Sequence, residues 1–382
     1  MSKENKSRRA FVKKTVASSI GLISAPALVS ASQPEAFIQQ DQKDVEPIWR
    51  NKQGGMHYRK LGRTGMMVSE LCLGTFPFQT DDCYPILDKC LERGINYFDC
   101  AAAYSQGQVE NNIGNYFKQS GNRDKLFLTT KLSGYGRGGH LKRIFNSLGP
   151  SEQERLQKKA NDLLAERQVL RPGYHFTYFG GQEKQLHSSY LWHVVLQEHG
   201  LKKEWKLEIK KKAYSLLEES LKRLQTDHID ILFCPHGASA PDLKDEIVAE
   251  LFTEFKQKGM IRASAVSFHN DVTGNLDAAV KEGYYDAAMF AYNIANHASV
   301  DGSMYKAKRS GMGLMAMKVA RLYVMEDKPE WIVDKLNATV AHDKLSKFSK
   351  SYLWALQNPN LSGCVAQMES IEELEDNLQA VG

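Results

Sequence analysis

Eight short apolar runs, each followed by a helical pattern, set the tightest limit on what this chain can fold into. They fall at 71–73, 96–99, 126–131, 229–236, 261–267, 287–291, 313–317 and 361–366. Runs this short and this apolar suit strands buried on both faces, as in a parallel sheet. After the first, Asp81 or Asp82 is placed to cap a helix whose Ile86, Leu87, Cys90 and Leu91 share one face, and Gly94 closes it. Further helical patterns lie near 109–118, 207–224, 242–258 and 344–357, and one follows Glu369. Eight strand–helix units predict a (β/α)8 TIM barrel, an α/β fold whose functional loops gather at one mouth. Two extended pieces, 56–59 and 66–68, flank Lys60-Leu61-Gly62-Arg63-Thr64-Gly65 and predict an N-terminal hairpin that plugs the other mouth. An open doubly wound sheet would want Gly-x-Gly-x-x-Gly after its first strand, and none follows Leu73.

Reactive side chains stand where three of these runs end. Asp99 closes Asn96-Tyr97-Phe98-Asp99, and Tyr104 lies in the loop behind it; Lys131 and His236 close the third and fourth runs. A carboxylate buried at a strand end needs a partner, because an unpaired buried charge is costly. Asp99, Tyr104, Lys131 and His236 are therefore expected to meet in space. Singly, each has a plain structural reading: a loop cap, a packed aromatic, a solvated strand end, a satisfied core histidine. Together they suit proton chemistry at a carbonyl. When a carbonyl accepts hydride, charge grows on its oxygen and a donor must supply a proton. A phenol with a resting pKa of about 10 can do this if a nearby lysine cation brings that value down. In this division Tyr104 is the general acid or base and Lys131 tunes it. Asp99 holds Lys131, and His236 orients the carbonyl oxygen.

Composition closes off other classes. The 382 residues carry a net charge of +5, too little for the clustered basic footprint of a nucleic-acid binder. The six cysteines form no Cys-x-x-Cys pair, which gives zinc or an iron–sulfur cluster no spacing and reads as buried small hydrophobes. His175, His187, His193 and His199 make no metal-ligand spacing either, so no metal is predicted. These histidines lie in an insertion of about 133–205 after the third strand. It holds a Gly-rich basic stretch from Gly134 to Gly139, a helical pattern at 152–164, and aromatics at 174–178 and 188–199. Its length and aromatics suit a lid over the mouth or an excursion at the periphery. The lysines of 202–212 read as a solvated helix face.

The N-terminus has the basic, apolar and small-residue order of an export signal. Ser7-Arg8-Arg9-Ala10-Phe11-Val12-Lys13 resembles a twin-arginine signal, with 1–31 as the signal peptide and cleavage after Ala31. The polar stretch 32–54 reads as a linker, and 55–382 as the barrel. A periplasmic or otherwise exported protein with no stable membrane span after processing is the expectation, and the export machinery is one partner.

From Tyr58 to about Asn377, interrupted by the insertion, the chain resembles an aldo-keto reductase. The opening Tyr58-Arg59-Lys60-Leu61-Gly62-Arg63-Thr64-Gly65, then Leu73-Gly74-Thr75, Gly94-Ile95-Asn96-Tyr97-Phe98-Asp99 through Tyr104, Thr129-Thr130-Lys131, His236 and Lys258-Gly259-Met260-Ile261-Arg262 carry the likeness. The resemblance implies a nicotinamide-dependent oxidoreductase acting on a carbonyl, often of a sugar or aldehyde, with Asp99, Tyr104, Lys131 and His236 as its tetrad. It implies NAD(H) or NADP(H) held across the mouth by Gly74, Thr75, Ser267, Lys318 and Asn377. The nicotinamide side departs from the pattern: Phe268 replaces the customary asparagine, Met289 the glutamine and Met317 the stacking tyrosine. Gln367, Met368, Glu369 and Glu373 stand where basic residues would grip a 2′-phosphate, which favours NAD(H). Outside the cytoplasm a tightly retained cofactor, clasped by the insertion, would answer the lack of a free pool. The competing reading is a barrel that binds a ligand or partner without turnover.

Overall fold

A computed structural model describes residues 45–171, 174–297, 300–326 and 328–381. The expected signal peptide, 1–31, and residues 32–44 of the expected linker lie outside the described residues. Strands β1 (Tyr58–Lys60) and β2 (Met67–Ser69) pair antiparallel as the expected hairpin. The eight runs that follow form a closed parallel barrel: β3 (Leu71–Gly74), β4 (Tyr97–Asp99), β5 (Phe127–Lys131), β6 (Ile229–His236), β7 (Ile261–Phe268), β8 (Ala287–Ala291), β9 (Gly313–Met317) and β10 (Gly363–Gln367). β10 returns to pair with β3, so no barrel strand has a free edge.

Side chains alternate along each strand, and the alternation builds two cores. Tyr97, Phe127, Ile231, Phe233, Ala265, Ala287, Met289 and Met315 fill the barrel. Phe98, Leu128, Leu232, Val266, Ala288 and Leu314 point out and meet the helices. Leu61, Met66 and Val68 of the hairpin join the inner cluster, which seals the end opposite the strand C-termini.

The surrounding helices are α1 (Tyr84–Glu92), α2 (Gln108–Ser120), α3 (Arg137–Ser147), α4 (Pro150–Glu166), α5 (Gln182–His199), α6 (Lys203–Leu224), α7 (Glu246–Gln257), α8 (Val272–Glu282), α9 (Asp301–Arg309), α10 (Trp331–Thr339), α11 (Lys347–Leu356) and α12 (Ile371–Leu378). None is long and apolar enough to cross a membrane. Two helix starts differ from expectation. Asp81–Cys83 form a separate 3-10 turn, and neither aspartate caps α1. Ala240–Asp242 form another, and α7 begins later, where Asp245 Oδ1 accepts the Ile247 and Val248 N–H groups at 3.0 and 3.4 Å.

The linker is not free along its whole length. Arg50 pairs with the buried Asp230 at 3.0 Å, Asn51 Nδ2 donates to the Leu91 carbonyl at 2.7 Å, and Ile48 bridges to Met66. Residues 45–54 therefore dock at the sealed end of the barrel. All six cysteines are buried and unpaired, as their spacing implied. Lys206 and Lys210 of α6 pair with Glu246, Glu250 and Glu254 of α7.

The insertion has a core of its own. Leu141, Leu156, Leu164, Leu186 and Val194 of α3, α4 and α5 pack together with no exposure above 5%. Arg137 at the start of α3 ties this unit to the barrel through Asp242 at 3.0 Å and Asp245 at 2.5 Å.

Candidate active site

Asp99, Lys131 and His236 occupy the C-terminal ends of neighbouring strands, and Tyr104 lies in the 3-10 turn that follows β4. Strand pairing sets Asp99 beside Thr129, Lys131 beside Phe233, and His236 beside Ser267. The register shifts between Phe233 and His236, where Pro235 has no N–H to give to the ladder.

Three of the four converge on one ammonium. Lys131 Nζ donates to Asp99 Oδ2 at 2.7 Å, to Tyr104 Oη at 3.0 Å and to the Cys100 carbonyl at 2.8 Å. All three lysine donors are thus used. Tyr104 Oη also donates to Asp99 Oδ2 at 3.2 Å. The other carboxylate oxygen, Asp99 Oδ1, accepts from the Thr129 hydroxyl at 2.9 Å. Thr129 was not among the sequence candidates; only its position two residues before Lys131, on the same strand face, could have pointed to it. The chain leaves Tyr104 through Ser105, Gln106 and Gly107 at φ 47°, 55° and 89°. Ser105 and Gln106 thus follow the tyrosine in a backbone conformation that residues with side chains rarely adopt, as functional loops often do. A Cβ at Gly107 would meet the Arg223 guanidinium at 2.8 Å, so that position has little space as well.

The electrostatics correct one expectation. Burial and the Asp99 charge push the Tyr104 phenol up, Lys131 opposes them without cancelling them, and the net shift is upward. The resting site therefore holds a protonated phenol. Burial also pushes Lys131 down, but Asp99 and Tyr104 outweigh it and keep the ammonium charged. His236 is pushed down to about 3 by burial, with Lys131 and Lys318 adding to the effect, and is a neutral imidazole near pH 7. Its Nδ1 lies 2.8 Å from Ser267 Oγ. With the serine as donor, the ring proton sits on Nε2, free for a carbonyl oxygen.

The five expected cofactor residues divide. Gly74 is partly exposed at the end of β3. Thr75 is fully buried and spends its hydroxyl on the Asp99 carbonyl at 2.9 Å, so it supports the site from behind. Ser267 is fully buried against His236. Phe268 turns outward and stacks on Phe290, with ring centroids 5.9 Å apart. Met289 fills the barrel interior and Met317 packs on the same cluster, so neither restores the missing nicotinamide contacts. Lys318 sits half-buried just past β9 with φ 61°.

The insertion reaches this mouth. Tyr178 is 2% exposed, and its hydroxyl accepts from Asn293 Nδ2 at 2.9 Å and Asn296 Nδ2 at 3.0 Å, in the loop after β8. Gln182 Nε2 donates to Asn270 Oδ1, and Arg167 pairs with Asp271, both after β7. Gln185 Nε2 donates to the Gly237 carbonyl after β6 at 2.9 Å. Phe179 meets the His269 ring edge-on at 5.1 Å. Both readings of the insertion thus hold for different parts: the helices build a satellite unit, and residues 174–185 strap three mouth loops together. The aromatic cluster was legible along the chain but its partners were not, because the asparagines lie more than a hundred residues away. Tyr178→Phe is expected to cost about 1–3 kcal/mol, since two buried amides lose their acceptor. Urea denaturation checks this, and an unchanged midpoint would mean that the strap is not anchored there.

Elsewhere, Glu152, Glu198 and His199 bring ligand-type atoms within 4.8 Å of one another, but Arg155 and Lys159 already neutralise Glu198. A surface dish of about 620 Å³ lined by Asp227, His228, Lys256, Lys258 and Arg262 opens near the N-terminal ends of β6 and β7, away from the mouth.

The match to a family model decides the assignment: the aldo/keto reductase family model fits residues 70–165 and 201–382. The chain belongs to the aldo/keto reductase family. The match is interrupted at residues 166–200, within the second half of the insertion. Curated relatives include an uncharacterized oxidoreductase, YrpG, of Bacillus subtilis (strain 168), 43% identical over 86 residues, or 20% of this chain and 26% of the relative. A probable voltage-gated potassium channel subunit beta of Oryza sativa subsp. japonica is 36% identical over 89 residues, or 22% of this chain and 27% of the relative. The chain thus matches about a quarter of the length of these relatives. Among solved structures, an aldo-keto reductase from Bacillus halodurans in its holo form aligns with a TM-score of 0.55 and 24% identity, over 85% of this chain and 90% of that one. A putative aldo-keto reductase from Pseudomonas aeruginosa aligns with a TM-score of 0.50 and 18% identity, over 85% and 94%. Both likenesses are of fold.

Members of this family generally use NAD(P)H, and one buried atom tests whether a dinucleotide fits. Asn377 Oδ1 at the end of α12 is buried with no hydrogen-bond partner among the described residues. A buried amide oxygen left so calls for a donor. The exocyclic amine of adenine is such a donor, so this end of the site fits.

Proposed function

We propose that this chain is an oxidoreductase that moves hydride between a nicotinamide cofactor and a carbonyl or alcohol, with Tyr104 as general acid and base. The observation that carries the reading is the contact set Lys131–Asp99–Tyr104, with separations of 2.7, 3.0 and 3.2 Å, at the mouth that also holds His236. A bound nicotinamide supplies the hydride. The protein's part is to fix the carbonyl and deliver a proton. His236 Nε2–H donates to the carbonyl oxygen and sets its angle. Tyr104 turns its proton from Asp99 to that oxygen as charge develops there. Lys131, already 3.0 Å from the phenol oxygen, stabilises the phenolate left behind. Asp99 and Thr129 keep the lysine in place.

NAD(H) is favoured over NADP(H). Glu369 and Glu373 flank the start of α12, with the Glu373 carboxylate accepting the Glu369 N–H, and an acidic edge repels a 2′-phosphate. Titration calorimetry with NADPH binding tighter than NADH would overturn this preference. The strap across the loops after β6, β7 and β8 suits a cofactor retained through many turnovers, reduced by one polar substrate, such as a sugar, and oxidised by another. Export by a twin-arginine signal to the periplasm accords with such retention. A chain kept uncut in the cytoplasm would refute that part.

A barrel that binds without turnover is the second reading. It is favoured by Met289 and Phe268, which leave the nicotinamide amide without its customary partners. Deuterium transfer separates the two. Protein stripped of nucleotide, reloaded with 4-deuterated NADH and given a panel of aldehydes is expected to yield deuterated alcohols, and nucleotide is expected in the supernatant when the protein as purified is denatured. No deuterated alcohol from any aldehyde would favour the binding reading, and no released nucleotide would remove the retained cofactor.

A further inference from the structure

Three linked polar side chains stand behind the barrel wall, and the proposed chemistry does not use them. Glu110 lies in the first turn of α2, six residues after Tyr104, and is fully buried. Its Oε1 accepts from the Thr130 hydroxyl at 2.5 Å, and its Oε2 accepts from Arg223 Nε at 2.7 Å. Thr130 is fully buried too, and it points out of the barrel between Thr129 and Lys131, which point in. Arg223 stands near the end of α6 and also donates from Nη2 to Ser220 Oγ at 3.1 Å. A buried ion pair is weak support for a fold, because well-packed apolar residues hold two helices together as well. What this pair adds is a link between two particular points.

Those points are the segments that carry the ammonium and the phenol. At one end, Thr130 directly precedes Lys131. At the other, the Arg223 side chain backs Gly107, where the three atoms nearest a built Cβ are all its own, the closest being Nε at 2.8 Å. Gly107 closes the left-handed run that starts one residue after Tyr104. Backbone of that kind persists only where its surroundings enforce it, and Arg223 is the side chain set against it. The frame behind is tight as well: a Cβ at Gly114 of α2 would lie 2.1 Å from the Arg223 carbonyl oxygen, so α2 and α6 meet there with no side chain between them. We propose that Glu110, acting through Thr130 and Arg223, is a positioning residue that holds the Lys131 ammonium and the Tyr104 phenol at their 3.0 Å separation. This rests on the hydride-transfer reading above and adds to it the part that keeps proton donor and ammonium in register.

The test loosens each end in the full chain. Thr130→Val keeps the shape and removes the hydroxyl, Thr130→Ser keeps the hydroxyl, and Arg223→Lys keeps the charge beside Glu110 but removes the guanidinium behind Gly107. Single-turnover oxidation of bound NADH by glyceraldehyde is followed in H2O and in D2O. Thr130→Val and Arg223→Lys are expected to slow reduction about 10–10²-fold, the order that a misplacement of up to 1 Å costs. Affinities for nucleotide and aldehyde stay unchanged, the solvent isotope effect grows because proton delivery becomes the slow event, and Thr130→Ser stays close to the wild type. A merely structural role would lower the melting temperature and leave the isotope effect alone. Unchanged rates in the folded variants, a slower rate with an unchanged isotope effect, or Thr130→Ser as slow as Thr130→Val each overturn the proposal. Crystal structures supply a readout that needs no turnover: in Thr130→Val, or in Arg223→Lys if the valine variant fails to fold, the Lys131–Tyr104 separation is expected to pass about 3.2 Å, the limit of a good N–H···O bond. An unaltered separation overturns the proposal. A wild type that transfers no deuterium sinks the hydride-transfer reading, and the separation then decides the positioning claim alone; a wild type that transfers deuterium beside unaltered variants does the reverse.

Discussion

Tyr104→Phe is expected to lower the rate of carbonyl reduction about 10²–10⁴-fold, the usual worth of a positioned proton donor. The ring and its packing remain, so nucleotide binding and the folded state persist. The edge-on contact between Phe76 and the Tyr104 ring, with centroids 5.2 Å apart, needs no hydroxyl. Lys131 loses one of three acceptors and keeps Asp99 and the Cys100 carbonyl. Single-turnover reduction measured beside a thermal melt checks the prediction, and an unchanged rate in a folded variant would remove Tyr104 from the chemistry. The pH dependence is a second check. Burial raises the phenol's pKa, so the proton donor is intact throughout the neutral range. His236 titrates near 3, so it does not change charge there either. The reduction step in the wild type is therefore expected to be flat through neutrality, with no limb from either residue.

The second large effect is on stability. Lys131→Met leaves Asp99, 3% exposed, with a charge and no cation beside it. Breaking a buried pair from one side costs about 3–5 kcal/mol, far more than the pair itself contributes. Replacing both partners together is different. Asp99→Asn combined with Lys131→Met removes the stranded charge and is expected to regain most of that loss, while neither variant transfers hydride. Urea denaturation of the two variants measures the difference. A single variant that loses less than about 1 kcal/mol would mean that water reaches the carboxylate and screens it.

The two effects separate what Lys131 does for the fold from what it does for the reaction. Its donors hold one carboxylate, one phenol and one carbonyl from consecutive parts of the chain. The same geometry that balances a buried charge also sets an ammonium beside the oxygen that must carry charge in the transition state. Thr129 extends that arrangement by one layer, and Ser267 does the corresponding service for His236.

Much of this was legible along the chain because each barrel strand is short, apolar and separated by its own helix. Local pattern reports local structure, and Ala287–Ala291 and Gly313–Met317 fall at the limits the runs suggested. Helix starts were less legible: Asp242 and Asp245 are both good caps by type, and only the backbone direction chose the second. The linker's last ten residues carry no periodicity, yet Arg50 finds Asp230, a partner whose position the linker's own pattern does not encode.

By itself, the amino-acid order determined the eightfold alternation, the hairpin plug and the placement of Asp99, Lys131 and His236 at strand ends with Tyr104 in the loop behind the first of them, because these follow from periods of two and 3.6 residues and from where each run stops. Tertiary structure alone decided that burial outweighs Lys131 at the Tyr104 phenol, that Ser267 serves His236, and that Tyr178 is held by asparagines after β8. Those outcomes depend on desolvation and on contacts between distant segments, and neither is written in any local stretch of sequence.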